Sequence, residues 1–325
     1  MAQRGPPQLG ILLPTRGILL GDGKISDPSV LFTLAEMAEE AGLDSVWVGD
    51  GLLSKPRLEP LATLAAVAMK TSHIRLGTSV LLAPMRQPVQ LAQMAATVDV
   101  LSKGRLTLGL GVGGAFIEPQ QREWEAIGVA PKERGERMTE LVQVCRQLWT
   151  QDTVTFEGRY LKLNRATMLP KPLQEGGIPI LLASHHGSGS KAQYRRAARY
   201  ADGVISISDT PEQYGEVIRR VRNYAEEGGR DLNSLRTAFY MTVNLNQDRE
   251  FAGREADDFI RRYYGVNLWK EKWGPFGPPA DLICRIREYY DEGAQEFIFR
   301  FASLNVVQQF KVFLEEVAPQ VDRLY

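Results

Sequence analysis

Arg105-Leu106-Thr107-Leu108-Gly109-Leu110-Gly111-Val112-Gly113-Gly114 reads as a strand with two unlike faces. Period-two alternation puts Leu106, Leu108, Leu110 and Val112 on one side and Thr107, Gly109, Gly111 and Gly113 on the other. A leucine face suits packing against outer helices, and a glycine face suits the inside of a closed sheet. Glycine weakens a strand unless a ligand or another backbone must come close. Two readings follow: a flat ring lies against the glycines, or the glycines relieve crowding in a narrow barrel. As a dinucleotide fingerprint the stretch is weak. No helix follows at once, and no second strand ends in an acid at the expected place.

Outward from this strand, short β-type runs alternate with amphipathic helical stretches, the pattern of a parallel α/β fold. Before it come strands at 10–13, 45–50 and 74–80, and helices from Asp27-Pro28 to Gly42, at 59–70 and at 88–101. After it, a polar stretch of about 20 residues leads to a helix at 134–149. Segments 153–156 and 159–163 flank Glu157-Gly158 as a hairpin outside the main sheet. Then follow strand 178–184, helix 191–200, strand 203–207, helix 211–227 capped by Thr210-Pro211, and strand 238–245. Helices at 249–264 and 280–292, strand 296–301 and a helix at 304–321 complete the chain. Eight strands alternating with eight principal helices predict a (β/α)8 TIM barrel with insertions after strands four and seven, as a single domain over residues 1–325. A doubly wound open sheet fits the same alternation.

Composition narrows the function. The 325 residues carry 39 Lys+Arg and 39 Asp+Glu, and this balance argues against a nucleic-acid partner. No apolar run approaches the ~20 residues of a membrane span. The start, MAQRGPPQLG, lacks an apolar signal core, and Cys145 and Cys284 read as free thiols, so a cytoplasmic location is expected. Three histidines, His73, His185 and His186, are too few and too badly spaced for a conventional metal centre, so no metal is expected.

A barrel places function at the C-terminal ends of its strands. Ser184-His185-His186-Gly187-Ser188-Gly189-Ser190 offers glycines, hydroxyls and helix N-terminal amides, which suit a phosphate. Lys191 and Arg195 add positive charge. It also reads as a flexible loop with capping serines. Gly77-Thr78-Ser79-Val80 presents small polar groups at a strand end. Asp50, and Arg300 inside the apolar Phe297–Phe301 strand, are charges that need a partner or a substrate. Asn244 is a weaker case of the same kind. Trp47, Tyr263 and Tyr264 read as packing residues. Trp269–Trp273 reads as a mobile cover or a surface loop.

Several blocks together resemble the bacterial luciferase-like superfamily. They are Asp44–Asp50, Arg75–Pro84 with Arg86 and Pro88, Thr97–Arg105 with the glycine strand, Phe156–Tyr160, Leu169–Pro172 and Arg195–Gly203. The resemblance implies a (β/α)8 barrel with a flavin at its C-terminal mouth. The flavin is either FMN, in monooxygenases fed with reduced flavin by a reductase, or the deazaflavin coenzyme F-420, in hydride-transfer oxidoreductases. It assigns the phosphate to Gly187–Ser190 with Ser184, and the ring to Ser79, Val80, Gly111 and Gly113, with a cis Ser79–Val80 peptide. Asp50 and Arg300 are then the candidate catalytic contacts to a small organic substrate. Chain length and the Ser-Val pair lean towards F-420. Two positions depart from the family: Gly51 stands where His is common, and Gly114-Ala115 where the deazaflavin sugar-phosphate and alcohol dehydrogenases carry Glu. Their acid/base pair is absent, so their substrates do not carry over. A flavin-binding protein without catalysis is the alternative, and a non-flavin barrel acting on a sugar phosphate fits the anion loop but not the glycine wall. Members often form homodimers.

Overall fold

The computed structural model describes residues 5–21, 25–188, 191–231, 234–267 and 274–321. The expected cover at Trp269–Trp273 lies outside the described residues, as do Gly189 and Ser190. The strands are β1 (Gln8–Leu12), β2 (Ser45–Val48), β3 (Arg75–Leu82), β4 (Leu106–Gly111), β5 (Val154–Glu157), β6 (Lys162–Ala166), β7 (Ile180–Ala183), β8 (Gly203–Ile207), β9 (Arg236–Leu245), β10 (Phe276–Gly277) and β11 (Glu296–Phe301). Parallel pairing runs β9-β11-β1-β2-β3-β4-β7-β8, and β8 pairs with β9, so eight strands close on themselves. This is the (β/α)8 barrel expected from the alternation.

The helices are α1 (Ser29–Glu40), α2 (Pro60–Ala68), α3 (Pro88–Leu101), α4 (Glu118–Ala126), α5 (Arg134–Thr150), α6 (Lys191–Tyr200), α7 (Pro211–Glu227), α8 (Arg249–Tyr264), α9 (Pro279–Asp291), α10 (Val306–Val312) and α11 (Ala318–Val321). Helix α7 starts where its signals place it: Thr210 and Gln213 form a capping box around Pro211. Two inserts interrupt the alternation at the expected places. After β4 come α4 and, beyond α5, the antiparallel β5–β6 hairpin; after β9 come α8 and the short β10.

Three local expectations need correction. The polar stretch after β4 holds α4, whose start carries proline in the first turn. The hairpin strands sit at 154–157 and 162–166, because Gly158 N–H bonds to Leu161 O and makes the turn longer than Glu157-Gly158. The last helix breaks into α10, a π-type turn over Phe313–Val317, and α11.

Parts of three blocks that carry the resemblance build the N-terminal end of the barrel. Asp44 accepts from Leu9 N at 2.7 Å, Asp99 from Leu173 N at 2.8 Å and Asp202 from Ile180 N at 2.7 Å. Each carboxylate, sitting just before or under one strand, fixes the start of a neighbouring segment. Arg105 donates to the carbonyls of Ser102, Ile74, Ala68 and Thr71. Conventional reading assigns this end of a TIM barrel to stability.

Leu106, Leu108 and Leu110 face the outer core under the helices, as alternation requires. Inside, Arg236 bonds Glu296 at 2.8 Å and Thr107 at 3.3 Å, forming a polar floor. Above it Trp47 lies across Gly77 and Gly10, with its indole N–H on Ser45 Oγ at 2.8 Å. Trp47 is therefore a packing residue, and the two glycines leave room for its ring. The C-terminal mouth begins above this layer.

Candidate active site

Strand β3 ends irregularly. Its pairing with β4 slips between Thr78 and Leu81, and the Ser79–Val80 peptide is cis. The glycine face of β4 receives this bulge. A Cβ at Gly109 would land on the Thr78 carbonyl oxygen, and one at Gly111 would lie 2.5 Å from Val80 Cγ2. Thr78 Oγ1 also donates to Gly109 O at 2.8 Å. At Gly113, with φ +77°, a Cβ would meet Trp124 at 3.0 Å. The glycines thus make room for a neighbouring strand and an insert helix, rather than forming a bare wall. Ser79 and Val80 are half-buried and reach the mouth.

Asp50 holds the bulge from the β2 side. It accepts from Leu82 N at 2.7 Å and from Gly51 N at 2.7 Å, and it pairs with both terminal nitrogens of Arg86 at 2.6 and 2.9 Å. Its carboxylate is fully engaged with protein groups, an arrangement that suits positioning more than contact with a substrate.

The loop after β7 lies across β3 and β4 from Asp50. Ser184 Oγ is buried and has no hydrogen-bond partner among the described residues. A buried hydroxyl is rarely left unpaired, so this one awaits a ligand group or water. His185 Nδ1 lies 3.2 Å from Ser206 Oγ, and burial pushes its pKa down. His186 Nε2 meets Glu216 at 2.7 Å, and His186 N donates to Asp209. Both histidines are tied into the loop. Gly187 is exposed.

A cationic group on the β11–β1–β2 side was not anticipated as such. Arg16 follows β1, Lys55 and Arg57 follow β2, and Arg300 lies in β11. Their guanidinium carbons sit 5.2 (Arg16), 5.5 (Arg57) and 4.5 Å (Arg300) from the Tyr263 ring centroid. Lys55 Nζ lies 4.7 Å from the Tyr264 ring. Arg300 is 3% exposed and donates to Thr242 Oγ1 at 2.7 Å and Tyr264 Oη at 2.7 Å. Burial holds the Lys55 amine below its ordinary pKa; Tyr263 opposes the shift, and Arg57, Arg300 and Arg16 add to it. Burial pushes the Tyr263 phenol up, but the three guanidinium groups outweigh it and the pKa falls below its usual value. Tyr263 and Tyr264 therefore do more than fill space. Asn244 is structural: it donates to Glu255 at 2.6 Å and Ala302 O at 2.9 Å.

Helix α4 shapes this side. Buried Glu123 accepts from Leu52 N at 2.7 Å, Leu53 N at 2.8 Å and Ser54 Oγ at 2.7 Å, while Trp124 Nε1 donates to Gly114 O at 2.8 Å. One turn of α4 thus joins the β2 loop to the end of the glycine strand. Glu123→Ala is expected to cost about 2 kcal/mol, since charge-assisted bonds to backbone N–H groups are lost. Urea unfolding measures the loss, and tryptic cleavage after Arg57 should accelerate. Unchanged cleavage would show that the loop is held by other contacts. The proline-led start of α4 was the one sequence signal available for this clamp.

The luciferase-like monooxygenase family model matches residues 8–312. The chain belongs to this family. It is an oxidoreductase by membership, with a small-molecule substrate. It is 36% identical over 333 residues to an F-420-dependent glucose-6-phosphate dehydrogenase of Nocardia farcinica, covering 91% of this chain and 95% of the relative. Its fold matches an F-420-dependent secondary alcohol dehydrogenase solved with an F-420–acetone adduct, with TM-score 0.81 and 22% identity over 98% of this chain and 99% of that one. It also matches a monooxygenase from Streptomyces bottropensis, with TM-score 0.80 and 22% identity over 96% and 99%. Among the described residues, no helix is long and apolar enough to cross a membrane.

Proposed function

We propose that the protein transfers a hydride between deazaflavin coenzyme F-420 and a small organic substrate at the C-terminal mouth. The observation that carries this reading is the β3 bulge, seated in the glycine face of β4 and pinned by Asp50. It offers Ser79 and Val80 as a firm backing for a planar ring. Ser184, with its buried and unpartnered hydroxyl, fits the phosphate end of such a coenzyme together with Gly187 and Ser188; Gly189 and Ser190 complete the loop in sequence. Bound there, the coenzyme supplies the hydride-carrying ring. Gly111 and Gly113 act on it indirectly, by admitting Val80 and Trp124. Asp50 positions the bulge, and Arg300 keeps a positive charge in the mouth. The names of the curated relatives support F-420. The sugar-phosphate chemistry of those relatives is left aside, because Gly51 and Gly114-Ala115 replace the expected His and Glu.

We read the chain as one barrel domain of a cytoplasmic homodimer. FMN use, with a reductase supplying reduced flavin, is the second reading, supported by the monooxygenase fold neighbour. Fluorescence quenching of the purified protein by each coenzyme separates the two. Saturable F-420 binding with weak FMN binding is expected. Tight FMN binding without F-420 binding would replace the first reading by the second. Binding without turnover across a panel of acceptors would mark a flavin carrier.

A further inference from the structure

We propose that Arg16, Lys55 and Arg57 bind an anionic oxygen group of the substrate, a carboxylate or phosphate, on the β1–β2 side of the mouth. The proposal rests on the mouth being the coenzyme site. Placement comes first. A Cβ on Gly49 would land on Arg57 Nη1, with Arg57 Cζ at 3.5 Å and Ser79 O at 3.9 Å from the same point. The Arg57 guanidinium therefore lies beside the bulge. A Cβ on Gly51 would come within 2.7 Å of Lys55 O and 3.5 Å of Arg57 Nε. The turn carrying these cations fills the space that a side chain at position 51 would need.

Charge comes second. Arg16 donates to Tyr263 O at 3.0 Å and Pro56 O at 2.9 Å, and Arg57 Nε donates to Lys55 O at 3.2 Å. Together with the tyrosine rings, these are the partners of the three cations among the described residues, and none is a carboxylate. With Arg300, four like charges converge on two rings in a half-buried site, where repulsion is weakly screened. An anion relieves that repulsion. The terminal nitrogens of Arg57 and the Lys55 ammonium keep donors available for it, and a guanidinium fork matches a carboxylate or phosphate. Topology separates this group from the anion loop: the cations belong to β11, β1 and β2, and the loop follows β7, with β3 and β4 between.

The test is a titration of coenzyme-saturated protein with inorganic phosphate and with acetate, at constant ionic strength, read by calorimetry. Saturable binding is expected. Affinity should fall about 10-fold or more in Lys55→Met and Arg57→Gln, the range for losing one charge-assisted bond. It should persist in Lys55→Arg and in Arg254→Gln, a surface change on α8. Phosphate binding tighter than acetate assigns a phosphate-bearing substrate, and the reverse order a carboxylate. Unchanged affinity in both cation variants overturns the proposal, as does loss of binding in Ser184→Ala in their place, which would put the ion in the β7 loop. Circular dichroism confirms that each variant is folded. The titration is repeated without coenzyme. Anion binding that depends on Lys55 and Arg57, in a protein that takes neither F-420 nor FMN, would overturn the coenzyme reading and leave the anion site standing.

Discussion

Replacing Asp50 by alanine is expected to cost about 3–5 kcal/mol, the range for removing one partner of a buried ion pair. The Asp50 side chain is 2% exposed and that of Arg86 15%. Without the carboxylate, Arg86 keeps Glu59 at 3.7 Å, which sets the loss towards the lower end. Leu82 N–H loses its acceptor, so the β3 bulge loosens as well. Coenzyme affinity should therefore fall along with stability. Asp50→Asn retains an oxygen for Leu82 and should lose less of both. Urea unfolding and F-420 quenching measure the two effects. An alanine variant with native stability and defective turnover alone would show Asp50 to be a chemical participant and not a clamp.

Gly109→Ala should destabilise by about 3 kcal/mol, at the upper end of ordinary overpacking. The added methyl meets a backbone carbonyl, Thr78 O, in a residue whose side chain is bonded to Gly109 O. A backbone atom cannot rotate away. Gly111→Ala meets the Val80 side chain at 2.5 Å, and a side chain can give. Its stability cost should be about 1–2 kcal/mol. Its larger effect is on coenzyme affinity, because Val80 is pushed into the mouth. Val80→Ala in the same chain should restore part of that stability. Equal costs at 109 and 111, or no recovery in the double variant, would mean that the glycines serve something other than the bulge.

The barrel was legible because its period-two and helical patterns are long and well punctuated. Helices α3, α6, α7 and α8 begin and end at the expected residues, and Pro, Asp or Gly marks a boundary of α3, α7 and α8. Helix α4 was missed because Glu118–Ala126 is short and polar, with two side chains, Glu123 and Trp124, fully buried. The site was half legible. Strand spacing singled out Gly109, Gly111 and Gly113, but whether a ring or a neighbouring strand fills the space is a tertiary fact. The cation group was invisible because Arg16, Lys55, Arg57 and Arg300 come from three separate stretches, and Lys55-Pro56-Arg57 reads as an ordinary loop.

The Glu123 clamp bears on how such a site could be transplanted. In the loop that carries the cations, residues 52–54 are gripped by α4, while Arg16 holds the Pro56 carbonyl. Moving that loop alone into a related barrel would deliver the charges without the grip that aims them. Segments 51–57 and 114–126 are coupled through α4, although two strands and two helices separate them in sequence, so a transplant of the site has to carry both.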